Sequence, residues 1–187
     1  MSAATNRAAG GISRLAAVAD GGLDIRAERY DSPAGQTLTA QLQQDYVIRY
    51  GGPDDSPIAA TEFTPPDGVF LIGYLGTEPV AMGGLRRHGA RDVELRRMFV
   101  RPSRRGRGLS RAILRELERR AVQMGAERVV LETGQPQPEA VGLYRSSGYR
   151  DIEPFGFYAE SPRSIHLAKW LPGAEAADAG ASAPVSE

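Results

Sequence analysis

A glycine-bracketed basic segment occupies residues 105–110, which read Arg-Gly-Arg-Gly-Leu-Ser. It follows a β-prone run that ends at Val100, and it leads into an amphipathic helical pattern. Gly106 and Gly108 let the backbone approach an anion without a Cβ in the way. The free N–H groups and the dipole of the first helical turn attract negative charge to the same point. The order of strand, glycine-rich loop and helix therefore predicts a binding site for a pyrophosphate.

Two other phosphate-binding motifs do not fit this segment. No Gly-Lys-Ser/Thr follows the glycines, as a nucleoside-triphosphate loop requires, and the Gly-x-Gly-x-x-Gly of a dinucleotide-binding fold is absent. The segment also lies within a local cluster of arginines at positions 96, 97, 101, 104, 105, 107 and 111.

Two segments resemble a known family. Residues 105–110 resemble the Arg/Gln-x-x-Gly-x-Gly/Ala signature of the GNAT superfamily of acyl-CoA-dependent N-acyltransferases, with Ser110 where Gly or Ala is usual. Residues 140–149, Ala-Val-Gly-Leu-Tyr-Arg-Ser-Ser-Gly-Tyr, resemble that family's Ala-x-x-Leu-Tyr-x-x-x-Gly-Phe/Tyr element. The resemblance covers about residues 23–171. It implies an N-acetyltransferase that moves an acetyl group from acetyl-CoA to an amine.

The resemblance also implies where acetyl-CoA binds. The glycine-rich loop would hold the pyrophosphate, the main chain of the preceding strand would hold the pantetheine arm, and Gln137 would lie near that arm. A backbone N–H near Met98 and Phe99 would stabilise the charge that develops on the thioester oxygen. The expected cofactor-binding residues are Met98, Phe99, Val100, Arg105, Gly106, Arg107, Gly108, Leu109, Ser110 and Gln137.

Tyr144 is the expected general acid. In the family that it resembles, the tyrosine of this element reaches the cofactor sulfur, so Tyr144 would protonate the departing thiolate. A phenol is protonated at neutral pH because its reference pKa is near 10.

A base is also needed, because only a neutral amine attacks a thioester and an alkylammonium has a pKa near 10. Glu94 is the first candidate, since several family members have a catalytic glutamate on the strand that enters the loop. Strand alternation would put it on the same face as Arg96, Met98 and Val100, towards the cofactor. Glu132, which ends a buried strand, and a chain of waters are the alternatives.

Composition excludes several chemistries. The chain has 187 residues with 23 basic and 23 acidic side chains and no cysteine. Disulfides, thiolate zinc sites and a cysteine acyl-enzyme are therefore excluded, and we expect direct attack in a ternary complex. His88 and His166 are isolated, so no metal is expected.

Composition also bears on partners. A net charge of zero argues against a dedicated nucleic-acid binder, and no segment approaches membrane-spanning length. We expect a cytoplasmic protein whose acceptor is a small-molecule or protein amine. A homodimer would be compatible with the family. The alternatives are a non-catalytic acyl-CoA sensor and an arginine-driven nucleic-acid module.

Periodicity and breakers predict the elements between two Ala/Gly/Ser-rich tails, 1–22 and 172–187, which are expected to be disordered. The expected strands are 23–29, 69–74, 79–87, 91–100, 128–133 and 163–170, and the expected helices are 33–50, 108–124 and 139–147. This order matches the GNAT fold of the α/β (α+β) class. That fold has a central mixed, mostly antiparallel sheet, splayed around the CoA site and flanked by helices.

The acceptor side carries weaker signals. Residues 54–68 form a proline-rich acidic segment that is too long for an ordinary connection and is a candidate substrate loop. Asp54, Asp55 and Glu62 could attract a cationic amine, and residues 155–158 could wall its pocket.

Overall fold

The computed structural model describes residues 17–19 and 22–172 of the chain. Most of the two predicted tails, namely residues 1–16, 20–21 and 173–187, lies outside the described residues. The strands are β1 (Ala17–Ala19), β2 (Leu23–Glu28), β3 (Gly68–Leu75), β4 (Glu78–His88), β5 (Asp92–Val100), β6 (Arg128–Gly134), β7 (Arg150–Asp151) and β8 (Ser164–Trp170). The helices are α1 (Pro33–Tyr50), α2 (Leu109–Gln123) and α3 (Pro138–Ser146), with short 3-10 turns at Ala60–Phe63 and Pro102–Arg104.

The eight strands form one mixed sheet in the order β1-β2-β3-β4-β5-β6-β8-β7. All neighbouring strands are antiparallel except β5 and β6, which are parallel. The mixed, mostly antiparallel sheet flanked by helices confirms the predicted fold class. The sequence analysis predicted neither β1, which pairs with β2 from within the segment assigned to a tail, nor the short β7.

Helix α1 has the bounds that its breakers predict. The Ser32 hydroxyl accepts a hydrogen bond from the Gly35 amide at 3.1 Å, and Pro33 occupies the first turn, where its missing N–H costs nothing. Gly51 ends the helix in the left-handed region at φ 85°. None of the helices in the described part of the chain is long and apolar enough to cross a membrane.

Each face of the sheet buries its own core. Helix α1 covers the core that includes Leu38, Leu42, Phe63, Phe70, Ile72, Met82 and Phe99, which we call the α1-side core. Helix α2 covers the larger core that includes Val93, Leu95, Val100, Ile113, Leu117, Val129 and Leu131, which we call the α2-side core.

Strands β5 and β6 separate in the middle of the sheet. Their pairing runs from Asp92 and Arg128 to Leu95 and Leu131 and then stops. Beyond that point β5 stays paired with β4 as far as Val100, while β6 stays paired with β8 as far as Gly134. The two strands therefore splay apart and leave a wedge that no backbone pairing fills.

A β-bulge in β5 corrects one sequence-based expectation. Gly84 pairs with Arg96 and Met82 with Phe99, so the single residue Gly83 faces both Arg97 and Met98. Arg97 has φ 57°, a left-handed conformation rare for a residue with a side chain. Gly83 has no Cβ, and this leaves room for the Met98 side chain, since a Cβ at position 83 would lie 2.8 Å from the Met98 sulfur.

The bulge changes the face on which each side chain lies. Met98 and Val100 pack on the α2-side core with Leu95. Glu94, in contrast, bonds to Arg86 and Arg96. The expectation that alternation puts Glu94 on the face of Met98 and Val100 is therefore wrong, because the extra residue in β5 shifts the alternation between positions 96 and 98.

Candidate active site

Three neighbouring cavities open around the wedge between β5 and β6. The first, of about 180 Å³, lies between the end of β5, the loop before α2 and helix α3, and we call it the loop cavity. The second, of about 60 Å³, lies at the splay point, and we call it the junction cavity. The third, of about 290 Å³, is lined by Tyr46, Tyr50 and Tyr158, and we call it the tyrosine cavity.

Most of the predicted cofactor-binding residues meet at the loop cavity. Its lining includes Met98, Phe99, Val100, Arg105, Gly106, Leu109, Ser110 and Gln137. Arg107 and Gly108 do not line it, since Arg107 is exposed and Gly108 is the N-cap of α2.

The glycine-rich loop has the geometry of an anion site. Gly106 and Gly108 have φ 74° and 76°, and nothing lies within 4 Å of a Cβ built on either. The first helical hydrogen bond of α2 runs from the Ala112 amide to the Gly108 carbonyl at 3.0 Å. Within the described residues, the amides of Leu109 and Ser110 donate to no acceptor. These donors, with the helix dipole, fit a pyrophosphate.

Carboxylates neutralise most of the arginine cluster. Arg101 and Arg104 both bond to Glu78, at 2.8 and 2.6 Å. Arg105 lies 3.3 Å from Asp45 and donates to the Val100 carbonyl at 3.0 Å. Arg96 and Arg97 pair with Glu94 and Asp54. Within residues 22–172, Arg107 and Arg111 have no carboxylate partner. These two arginines of the cluster are therefore available to bind a phosphate.

Tyr144 lies between two of the cavities. It lines both the loop cavity and the junction cavity, and it is 4% exposed. Its ring packs edge-on against Tyr149 at 5.6 Å, and its hydroxyl has no hydrogen-bond partner in the described part of the chain. Burial raises the pKa of the Tyr144 phenol well above its usual value. The phenol therefore stays protonated and can donate its proton into the cavity.

Glu94 reaches the junction cavity but is held in an ion-pair network. One of its oxygens accepts from Arg86 at 2.8 Å, and the other accepts from Arg96 at 3.3 Å. Arg86 also bonds to Glu62, and Arg96 also donates to Ser56. Both oxygens of this buried carboxylate are thus already engaged.

Glu132 has a free oxygen in the same cavity. It lies one residue beyond the last β6 residue that pairs with β5, and it lines both the junction and tyrosine cavities. Its Oε1 accepts from the Ser164 hydroxyl at 2.9 Å, and it has no salt-bridge partner among the described residues. Burial raises the pKa of Glu132, the Ser164 hydrogen bond opposing this shift. A carboxylate in this environment has a higher proton affinity than one in water.

Gln137 lines all three cavities. Its Oε1 accepts from the Tyr50 hydroxyl at 3.0 Å and from the Thr133 hydroxyl at 3.4 Å. These bonds fix the side chain at the point where the cavities meet. The side-chain NH2 group of Gln137 remains available to donate into the cavities.

The tyrosine cavity combines the loop after α1 with the segment before β8. Asp54 joins them, because the Tyr158 hydroxyl donates to one of its oxygens at 2.7 Å. Arg97 of β5 lies 2.5 Å from the other oxygen. Asp54 and Asp55 line this cavity, and of residues 155–158 Tyr158 alone lines it, whereas Glu62 bonds to Arg86. Sequence reasoning missed Tyr46, Tyr50 and Arg163, because distant segments supply them and no motif links those segments.

Comparisons with known proteins give the family of this chain. The model of the acetyltransferase (GNAT) family matches residues 36–149. The chain is 40% identical over 111 residues to the IAA acetyltransferase of Azospirillum brasilense, covering 57% of this chain and 70% of that protein. It is 32% identical over 108 residues to the uncharacterized N-acetyltransferase YsnE of Bacillus subtilis, covering 57% of this chain and 72% of that protein.

Solved structures share the fold. A putative acyl-CoA N-acyltransferase from Klebsiella pneumoniae aligns with a TM-score of 0.68 and 25% identity, over 80% of this chain and 97% of that one. A GNAT family acetyltransferase from Elizabethkingia anophelis, solved with acetyl-CoA bound, aligns with a TM-score of 0.58 and 14% identity, over 80% of this chain and 98% of that one. The family match covers more than half of the chain and includes the glycine-rich loop and Tyr144, so this chain belongs to the GNAT acetyltransferase family and is an acyltransferase.

Proposed function

We propose that this protein transfers the acetyl group of acetyl-CoA to an amine bound in the tyrosine cavity, by direct attack in a ternary complex. The observation that carries the proposal is the continuity of the three cavities. Tyr144 lines the loop and junction cavities, while Glu132 lines the junction and tyrosine cavities. An acid on the cofactor side and a base on the acceptor side therefore meet at one small space.

In this arrangement the pyrophosphate of acetyl-CoA lies on the amides that begin α2. The pantetheine follows the edge of β5 that the splay leaves unpaired, and backbone N–H groups near the bulge at Arg97 and Met98 face the thioester oxygen. Such groups are preorganised donors, so they stabilise developing charge without a cost of reorganisation.

The reaction forms one bond and breaks one. The amine nitrogen forms a bond to the thioester carbon, and the carbon–sulfur bond breaks. Tyr144 gives its proton to the sulfur. The nitrogen loses two protons in all, since it begins as an ammonium. One leaves through Glu132 to solvent before the attack, and the other, released as the amide forms, reprotonates the Tyr144 phenolate.

We assign the base to Glu132 rather than to Glu94, the other candidate from the sequence. Arg86 and Arg96 engage both oxygens of Glu94, whereas one oxygen of Glu132 is free beside the acceptor cavity. Burial also raises the pKa of Glu132 towards the neutral range in which a general base works best.

The decisive experiment is thiol release from acetyl-CoA with a panel of amines, run beside a calorimetric titration with CoA. Turnover with at least one amine together with CoA binding is the expected result. CoA binding without turnover on any amine would favour a non-catalytic acyl-CoA sensor. If CoA does not bind, the proposal is wrong at its first step.

A further inference from the structure

The tyrosine cavity is lined by two side chains of opposite charge, Glu132 and Arg163. Glu132, near the junction, is half-buried and accepts one hydrogen bond, from Ser164. Arg163, from the segment before β8, lines the same cavity. Neither side chain makes a salt bridge within residues 22–172.

Arg163 is exposed, and two contacts orient its side chain. Its guanidinium lies over the Tyr50 ring, 5.2 Å from the ring centroid, and one of its nitrogens donates to the Arg49 carbonyl at 3.4 Å. The stacking and the neutral carbonyl leave its positive charge uncompensated. A fixed guanidinium presents paired N–H donors that match the two oxygens of a carboxylate.

Asp54 and Asp55 are the other charged residues that line the cavity. Arg97 neutralises Asp54, and hydrogen bonds hold the pKa of Asp54 below its usual value despite its burial. Asp55 is exposed at the rim and adds to the attraction for a cation. The cavity thus offers negative charge for an ammonium at and near Glu132, and one positive group at Arg163.

The sheet fixes the separation of the two charged groups. Gly134 pairs with Ser164, and the Gln135 amide bonds to the Arg163 carbonyl at 2.9 Å, so Arg163 lies about three residues along the strand from Glu132. At roughly 3.3 Å per residue this is about 10 Å between backbones, and both side chains line the one cavity that lies between them. A small molecule in this cavity therefore lies between a negative and a positive side chain.

We infer that the acceptor is a small molecule that carries both an amine and a carboxylate, as amino acids do, with its amine at Glu132 and its carboxylate on Arg163. This inference rests on the proposed function for the identity of the cavity as the acceptor site. The cavity volume of about 290 Å³ is close to the lower end of the range for small-molecule sites, about 300 Å³.

The test compares acceptors that differ only in the carboxylate. Glycine, L-lysine and L-phenylalanine are each paired with their carboxamides and titrated into the enzyme saturated with CoA, which holds no acetyl group to transfer. Binding is measured by calorimetry, so the result does not depend on turnover. We expect at least one carboxylate form to bind roughly tenfold more tightly than its amide, the size of one charge-assisted hydrogen bond.

Two variants connect the preference to Arg163. In Arg163→Gln the preference for the carboxylate form should vanish while binding of the amide is unchanged, and Arg163→Lys should restore part of it. Arg150→Gln, at an exposed arginine outside the cavity, should change neither. Equal binding of both forms, no binding of any pair, or a preference that survives in Arg163→Gln would overturn the inference. Absence of turnover with these preferences intact would contradict the proposed function instead.

Discussion

Glu132 on β6 and Tyr144 on α3 line the same cavity of about 60 Å³, and each also lines a different neighbouring cavity. Both groups have their pKa raised by burial, so the phenol is held protonated and the carboxylate becomes a stronger base than it is in water. Burial thus shifts both pKa values in the same direction, which in the proposed mechanism keeps the acid protonated and strengthens the base.

Tyr144→Phe tests the acid. The change removes only a hydroxyl, so kcat should fall about 10² to 10⁴-fold, the usual range for a lost general acid, while CoA affinity stays the same. Steady-state kinetics and a CoA titration measure the two effects. Tyr149→Phe is the matched control, because its ring packs against Tyr144 but does not line the cavities. Wild-type kcat in Tyr144→Phe would remove the phenol from the mechanism.

Gly108→Asp tests the anion site. A carboxylate at the N-cap of α2 should repel the pyrophosphate and weaken CoA binding in calorimetry, the more so at low ionic strength. Gly108→Asn has nearly the same shape without the charge and tolerates positive φ, so it should bind CoA distinctly better. Gly125→Asp repeats the substitution at the other end of the helix and should leave CoA binding intact. Equal affinities for the Asp and Asn variants at position 108 would place the pyrophosphate elsewhere.

The sequence predicts the elements and the glycine-rich loop well because their signals are local. Ser32, Pro33 and Gly51 define α1 within one or two residues of its ends. Gly106 and Gly108 adopt the positive φ angles that a close approach to an anion requires.

The bulge and the tyrosine cavity depend instead on distant partners. Arg97 adopts positive φ in the bulge opposite Gly83, and Asp54 pairs with its guanidinium, and no local pattern encodes either relationship. Tyr50 and Arg163 stack although more than a hundred residues separate them. Alternation along β5 alone therefore put Glu94 on the wrong face relative to Met98.

Glu94→Gln should act mainly on stability. The substitution leaves Arg86 paired with Glu62 alone and weakens the bond to Arg96. The free energy of unfolding, measured by denaturant titration, should therefore fall. Removal of one partner of a buried ion pair costs about 3–5 kcal/mol, and because Arg86 keeps one carboxylate we expect about 2–3 kcal/mol. Glu118→Gln, which loses a single pair with Lys169, should cost less. Equal losses in the two variants would show that the network around Glu94 adds nothing beyond one ion pair.

Glu132→Gln should show the opposite effect on stability. The folded-state pKa of Glu132 lies above its unfolded value, so the folded state binds more protons and wild-type stability falls as pH rises between those two values. Glutamine does not ionise. The variant should therefore unfold at a higher temperature than wild type above the folded pKa, and the difference should shrink as pH falls below the unfolded value. Thermal unfolding across pH measures this, with Glu153→Gln at an exposed position as the control. A difference independent of pH would mean that burial does not shift this carboxyl.

The pH dependence of activity separates the two candidate bases. With Glu132 as base, wild-type kcat/KM should rise with pH until Glu132 is ionised and then level off, because the enzyme removes the ammonium proton itself. Glu132→Gln depends on amine that is already neutral, so its kcat/KM should keep rising towards the pKa of the amine, near 10 for an alkylammonium. The deficit of this variant should thus be largest at low pH and shrink as pH increases. Glu94→Gln should keep the wild-type profile at every pH where it is folded. If Glu94→Gln shows the shrinking deficit and Glu132→Gln does not, the base is Glu94, and if neither variant shows it, a chain of waters carries the proton.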